Sequence, residues 1–278
     1  MPILKVNNIN ISYGQIGEGE VIVFLHGYTG SSDDWAHQVS AVSREYQAIT
    51  VDHRGHGKSE APSSEEEYSI YLFSNDVLAL LNQLGIHRCC LVGHSMGGFI
   101  ALQFTLDHPE LVKALVLVDT SSGEFEVAPG YAALRAKLDE LARTQGLEAA
   151  FEYDATTNPT RIERFQRHPE LGERSRQKVM STSVDGYIFA ARTFKMWQPV
   201  TERLAEIRVP TLIVWGDEDA QFFKASQMLK ASIRGAKLIT VPGVGHSPHE
   251  EAPEYFNDIL LQFLSQVPWT EENRSGPP

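Results

Sequence analysis

The sequence predicts an α/β protein in which a mostly parallel sheet is flanked by helices. Short apolar, β-branched runs recur along the chain, each ending in Gly, Asp or Pro, as buried parallel strands do. Segments with helical periodicity separate most of them, which is the alternation of an α/β fold. At 278 residues, 42% hydrophobic and 22% charged, the chain can build one large domain or a core carrying an insertion.

Leu4 to Tyr13 reads as an antiparallel edge strand that leads through GQIGEGE into the first core strand, Val21 to Leu25. Gln47 to Val51 runs into Asp52-His53-Arg54-Gly55, and Cys89 to Val92 into Gly93. Ala114 to Val118 ends at Asp119, Thr211 to Trp215 at Gly216, and Lys237 to Val241 at Pro242-Gly243. Between them, Tyr68 to Leu84 puts Val77, Leu80, Leu81 and Leu84 on one helical face, with Gly85 as the stop. Pro253 to Gln266 does the same with Phe256, Ile259, Leu260, Phe263 and Leu264, and Pro253 suits a first helical position.

The pattern breaks between Ser121 and Leu204, a charged, Arg-rich and patchily helical stretch without a convincing strand. Ordinary αβ connections run about 2–6 residues, so this length predicts a helical lid inserted between two core strands. The expected organisation is a core domain over residues 1–120 and 205–269, a lid over 121–204 and a disordered polar tail over 270–278.

A net charge of −12 argues against nucleic acid or an anionic membrane as partner. No stretch approaches the roughly 18 apolar residues of a membrane span, and MPILKVNNIN lacks the basic and apolar regions of a signal peptide. The two cysteines, Cys89 and Cys90, are neighbours that a strand would point to opposite faces, so they are expected as free buried thiols. These readings predict a reduced, cytoplasmic protein.

Gly93-His94-Ser95-Met96-Gly97-Gly98 contains G-x-S-x-G between an apolar strand and the helical run FIALQFTLDH. That context suits a sharp turn that lifts Ser95 to the mouth of the sheet as a nucleophile, with a helix N-terminus behind it to face a developing oxyanion. A serine needs a base and a group to orient that base. His246 lies on the Gly-rich loop after the last strand, and Asp219 lies just beyond the strand before it. Ser95, Asp219 and His246 thus all follow strand C-terminal ends, where open α/β sheets place their sites. Asp217 and Glu218 share the acid's loop, and Asp119 ends another strand, so several acids stay open at this level. His246, His249 and Glu250 could suggest a metal, but a matching ligand set is missing elsewhere and none is expected.

Over nearly its whole length the chain resembles the α/β-hydrolase family. LHGYTGSSDDW resembles its oxyanion loop, VDHRGHGKS its D-x-R-G-x-G-x-S segment, VPTLIVWGDED the acid strand and VPGVGHSPHEEAPEYF the histidine loop and last helix. The resemblance implies Ser95, Asp219 and His246 as the triad, the acid standing three residues after Gly216. It also implies an oxyanion hole built from the backbone N–H groups of Tyr28 and Met96. One departure is DAQFF, which lacks the proline of the family's acid loop. His26 is expected to hold the oxyanion loop in shape, whereas the cluster Asp52, His53, Arg54 and His56 fits either a structural turn or a substrate contact. Phe194 and Trp197 are expected in the lid core, with a pocket-lining role as the second reading.

The implied reaction is cofactor-independent acyl transfer from a small-molecule substrate to water. Serine at the elbow, where dehalogenases and epoxide hydrolases of this fold carry aspartate, argues against those chemistries. Carboxylesterases, enol-lactonases, C–C bond hydrolases and the lyase-like synthase of the menaquinone pathway share the pattern. A small-molecule receptor on the same fold is the alternative of a different class.

Overall fold

A computed structural model of the protein describes residues 1–123 and 129–269. The expected disordered tail falls outside them. Eight strands form one sheet in the order β1-β2-β4-β3-β5-β6-β7-β8. They are β1 (Ile3–Val6), β2 (Ile9–Ile16), β3 (Val21–Leu25), β4 (Gln47–Val51), β5 (Cys89–His94), β6 (Val112–Val118), β7 (Thr211–Gly216) and β8 (Lys237–Val241). The pairs β1–β2 and β2–β4 are antiparallel and the rest are parallel, so the fold class is α/β as expected.

Strand boundaries differ from the sequence reading in four places, of which two are small: β6 begins at Val112 rather than Ala114, and β7 ends at Gly216 rather than Trp215. The single edge strand expected over Leu4 to Tyr13 is a hairpin, in which Val6 pairs with Ile9 across Asn7 and Asn8. Both asparagines have positive φ, 48° and 65°. That is the backbone of a tight two-residue hairpin turn, which asparagine tolerates. Strand β5 continues past Val92 because Gly93 and His94 pair with Leu117 and Val118, which brings the sheet to the residue before Ser95.

Alternation along the strands fills two apolar layers. Val23, Leu25, Leu91, Leu115 and Leu117 face one side, covered by α2 (Ile70–Gln83) and α3 (Met96–Asp107). Ile22, Phe24, Val92 and Val116 face the other, covered by α1 (Ala36–Val42) and by α11 (Pro253–Leu264). Each such side chain contributes about 1.5–3 kcal/mol of burial, so the sheet centre is rigid and its loop ends are well placed. Helix α2 starts where Ser69 accepts the Leu72 N–H at 3.1 Å and stops before Gly85, whose φ is 69°. Cys89 and Cys90 are free and buried, and they belong to opposite layers.

Among the described residues five α-helices lie between β6 and β7: α4 (Tyr131–Gln145), α5 (Leu147–Thr157), α6 (Pro159–Arg167), α7 (Pro169–Ser181) and α8 (Val184–Met196). Phe151, Val179, Tyr187 and Ile188 of this insert join the same apolar layer as α2 and α3. The insert also docks on the turn after β4, where the Gly55 carbonyl accepts the Ser183 N–H and hydroxyl, both at 3.0 Å. Helices α9 (Phe223–Ser232) and α10 (Pro248–Glu251) complete the fold. Among the described residues no helix is long and apolar enough to cross a membrane.

Candidate active site

Strands β3, β5, β6, β7 and β8 run parallel, so the loops after them gather along one edge of the sheet. Ser95 sits at the tip of the turn from β5 into α3 with φ 51° and ψ −115°. Such a conformation costs a non-glycine residue on the order of 1–3 kcal/mol. It persists because its surroundings over-determine it: the Ser95 N–H donates to the Val118 carbonyl at 2.9 Å, and the Ser95 carbonyl accepts the Gly98 N–H at 2.9 Å and the Thr120 hydroxyl at 2.7 Å. Close packing leaves no space for a side chain at Gly97, where a Cβ would stand 2.1 Å from the Leu25 carbonyl oxygen.

The loops after β7 and β8 bring two further predicted residues to Ser95. His246 Nε2 lies 3.0 Å from Ser95 Oγ, and His246 Nδ1 lies 2.6 Å from Asp219 Oδ2. With the ring proton on Nδ1 donated to the carboxylate, Nε2 is free to accept from the serine hydroxyl. Asp219 is 8% exposed, whereas the His246 side chain remains 40% exposed to the cavity above it. The imidazole stacks on Phe222, and its carbonyl accepts the His94 Nε2–H at 2.7 Å. The acid loop follows its own path without the family's proline. Trp215 Nε1 donates to the Asp219 carbonyl at 2.8 Å and closes that turn.

Asp119, the rival acid, is placed differently. Its carboxylate oxygens meet the Gly216 N–H at 3.2 and 3.3 Å. Burial, reinforced by the charge of Asp219, holds its carboxyl well above the usual carboxylate range.

Gly27 and Tyr28 lie against the elbow, since a Cβ on Gly27 would stand 3.3 Å from the Ser95 Cβ. The Met96 N–H opens α3 and has no acceptor within that helix. The Tyr28 phenol donates to the Tyr187 carbonyl at 2.5 Å and accepts from Arg135 Nη1 at 3.0 Å, which ties this loop to the insert. Behind it, His26 Nδ1–H donates to the Gly27 carbonyl at 2.7 Å, and its Nε2 accepts the His53 N–H at 3.0 Å. His26 is thus a brace between two loops.

The Asp52–His56 cluster is also internally engaged. Asp52 accepts the Ser32 N–H and hydroxyl and the Lys58 N–H, while Arg54 forms a two-pronged pair with Asp76 at 2.7 and 2.8 Å. These bonds assign the cluster to the turn rather than to the cavity. His249 is buried against Trp35, and Glu250 pairs with Lys178. Among the described residues no group of His, Cys, Asp or Glu is arranged to hold a metal.

Five buried imidazoles stay neutral. Burial, with neighbouring imidazoles, pushes His26 down to about 3 and holds His53 and His94 well below the usual range; burial, with the charge of Lys178, does the same to His249, and burial alone pushes His56 down to about 4. A folded-state pKa below the unfolded 6.5 contributes stability that is present above that pH and lost as pH falls. Asp34 and Asp119 act oppositely, since burial raises Asp34 to about 6 and holds Asp119 well above the usual carboxylate range. Below the unfolded imidazole value, unfolding should therefore take up protons at the five imidazoles and release them at the two carboxyls, with net uptake because the imidazoles are more numerous. Calorimetry in buffers of differing ionisation heat measures this uptake, and net release would contradict it.

A cavity of about 430 Å³ opens over Ser95 and His246, walled on its other side by the insert. Phe194 lines it and meets Tyr28 and Phe99 edge-on, each at 5.7 Å between centroids. Trp197 does not line it. Its indole stacks on the far side of Phe99 at 5.1 Å, and its Nε1–H donates to Gln103 at 2.8 Å, so it is part of the packing behind the cavity wall.

Two residues in this region escaped the sequence reading. Glu251 accepts the Gly245 N–H at 2.9 Å and the Ser247 N–H at 3.1 Å, bracketing His246, and Arg164 of α6 pairs with it. The one available signal, Ser247-x-x-Glu250, resembles a capping box and points to the wrong glutamate.

Residues 20–253 match the family defined by the alpha/beta hydrolase fold. The chain belongs to that family. A protein of Bacillus subtilis (strain 168) named as a 2-succinyl-6-hydroxy-2,4-cyclohexadiene-1-carboxylate synthase is 30% identical over 94% of this chain and 98% of its own length. Among solved structures, Est816, described as an N-acyl homoserine lactone degrading enzyme, is 30% identical with a TM-score of 0.79, covering 94% of this chain and all of that one. The enol-lactonase of Burkholderia xenovorans LB400 shares the fold at 24% identity and a TM-score of 0.83, over 95% of this chain and 100% of its own. This hydrolase is therefore similar, end to end, to members named for different reactions.

Proposed function

We propose that this hydrolase cleaves an ester, lactone or related carbonyl compound of small-molecule size through an acyl-enzyme on Ser95. The observation that carries the reading is the bonded chain Ser95–His246–Asp219, with links of 3.0 and 2.6 Å at the floor of the cavity. Ser95 attacks the carbonyl carbon while His246 Nε2 takes the hydroxyl proton. The N–H groups of Tyr28 and Met96 receive the oxyanion. As the tetrahedral intermediate collapses, His246 returns the proton to the leaving group, then activates water to release the acyl group. Asp219 holds the imidazole tautomer and stabilises the imidazolium. Side chains, backbone and water complete this cycle without a cofactor.

The insert, residues 121–204, serves as the lid in this reading and sets substrate choice. Activity measured across short and long acyl esters, lactones and vinylogous diketones tests the function. Turnover of none of them would remove it. A second reading, a lyase-like synthase reaction on the same triad, is favoured by the end-to-end similarity to the Bacillus subtilis protein. Selective turnover of the diketones, with esters and lactones untouched, would favour carbon–carbon chemistry.

Phe194→Ala should enlarge the acyl end of the cavity and raise the long-to-short ratio of kcat/KM, since one methylene of fit is worth about 1–3 kcal/mol. Trp197→Phe should leave that ratio unchanged and instead lower the thermal midpoint, because the buried Gln103 carbonyl loses its donor at a cost of about 1–3 kcal/mol. An unchanged ratio in folded Phe194→Ala would take Phe194 out of the acyl pocket.

A further inference from the structure

We propose that Arg164 is a positioning residue, a guanidinium delivered by the insert that keeps the acid loop and the histidine loop in register. The inference rests on the serine-hydrolase reading above.

The geometry places Arg164 between the two loops that must meet. On the histidine side it pairs with Glu251, whose two carboxylate oxygens hold the N–H groups on either side of His246. On the acid side its Nη1 stands 3.6 Å from Glu218, the neighbour of Asp219. Glu218 is itself bonded to the histidine loop, its N–H donating to the Val244 carbonyl at 2.9 Å. The guanidinium lies over Gly245, where a Cβ would stand 2.1 Å from Nη1 and would push the side chain aside. The Arg164 side chain is 20% exposed, which spares the pair much of the screening that weakens surface ion pairs.

Charge explains why a cation is needed there. Asp219, Glu218 and Glu251 converge on one small region, and buried Asp119 feels Asp219 and Glu251 as raising charges and Arg164 as a lowering one. Arg167 also pairs with Glu218, at 3.2 Å, so the charge left unbalanced without Arg164 is chiefly that of Glu251, beside the joint that sets the 2.6 Å bond between Asp219 and His246. A planar guanidinium lying over Gly245 presents its donors to the two carboxylates in fixed directions, which a lysine ammonium does not reproduce. The insert would thereby contribute to the rate of chemistry at Ser95 as well as to the shape of the cavity.

The test uses the full chain and a fluorophosphonate probe, which reports the reactivity of the serine without a specific substrate. Arg164→Met keeps the aliphatic stem and removes the charge. It should label Ser95 to full stoichiometry but about 10- to 100-fold more slowly, the scale of a small misplacement of catalytic groups. With an ester substrate kcat should fall in proportion and KM stay near wild type. Glu251→Gln should behave alike, and Arg164→Met should add little in its background because the two act as one unit. Arg164→Lys should recover only part of the rate. The proposal is overturned if Arg164→Met labels at the wild-type rate, including labelling of a reduced folded fraction, or if KM rises while kcat holds, which would make Arg164 a substrate contact. Failure of the wild type to label at Ser95 would sink the parent reading instead.

Discussion

Ser95→Ala is expected to abolish turnover while leaving the fold intact. Alanine removes one oxygen and keeps the backbone bonds to Val118, Gly98 and Thr120 that hold the elbow. With no hydroxyl, the proposed acyl-enzyme cannot form, and in that mechanism only binding and oxyanion stabilisation would survive. Loss of a serine nucleophile in a serine protease costs about 10⁶ in kcat, and a fall of that order is expected here. Mass spectrometry should find the fluorophosphonate adduct on Ser95 in the wild type and nowhere in the variant. An adduct that persists in Ser95→Ala would identify a different nucleophile and end the proposed mechanism.

The second large effect is expected from the acid. Asp219→Asn preserves shape, but the amide offers His246 Nδ1 either a donor or a neutral acceptor, so the imidazole loses the bond that keeps Nε2 free for Ser95. The equivalent change in a serine protease lowers kcat about 10⁴-fold. A loss of several orders of magnitude in kcat with KM nearly unchanged is therefore expected. Asp217→Asn should retain most activity, since the Asp217 carboxylate instead accepts the Gly243 N–H at 2.7 Å. Asp119→Asn should reduce activity only moderately, because Asp119 meets the Gly216 N–H rather than the imidazole. Should Asp119→Asn prove the crippling change while Asp219→Asn stays active, the acid has been misassigned, and Ser95 and His246 would be unaffected by that correction.

Strand and helix positions were legible in the sequence because apolar periodicity and turn residues are local. Val21–Leu25, Gln47–Val51 and Lys237–Val241 form strands at the limits their composition marks, and the helix expected over Tyr68 to Leu84 stops before Gly85, as that glycine signals. The Asn7-Asn8 turn carried a local signal too, and reading it as part of one continuous strand missed a hairpin. The residue types of the site were equally visible, since each sits at a recognisable turn after a strand.

What the sequence by itself determined, then, is an α/β order of elements and a short set of polar residues at the strand ends. The tertiary structure decided which of those residues touch. Asp119 and Asp219 both follow strands and both are buried, and only the paths of the loops place one against His246 and the other against a backbone N–H. Trp197 and Phe194 stand three residues apart at the end of the insert, and packing sends one behind the cavity wall and the other into it. Arg164 and Glu251 lie 87 positions apart with no shared motif. Their pairing depends on where an entire insert docks, which is a sum of many weak apolar contacts and leaves no mark on the residues around either side chain.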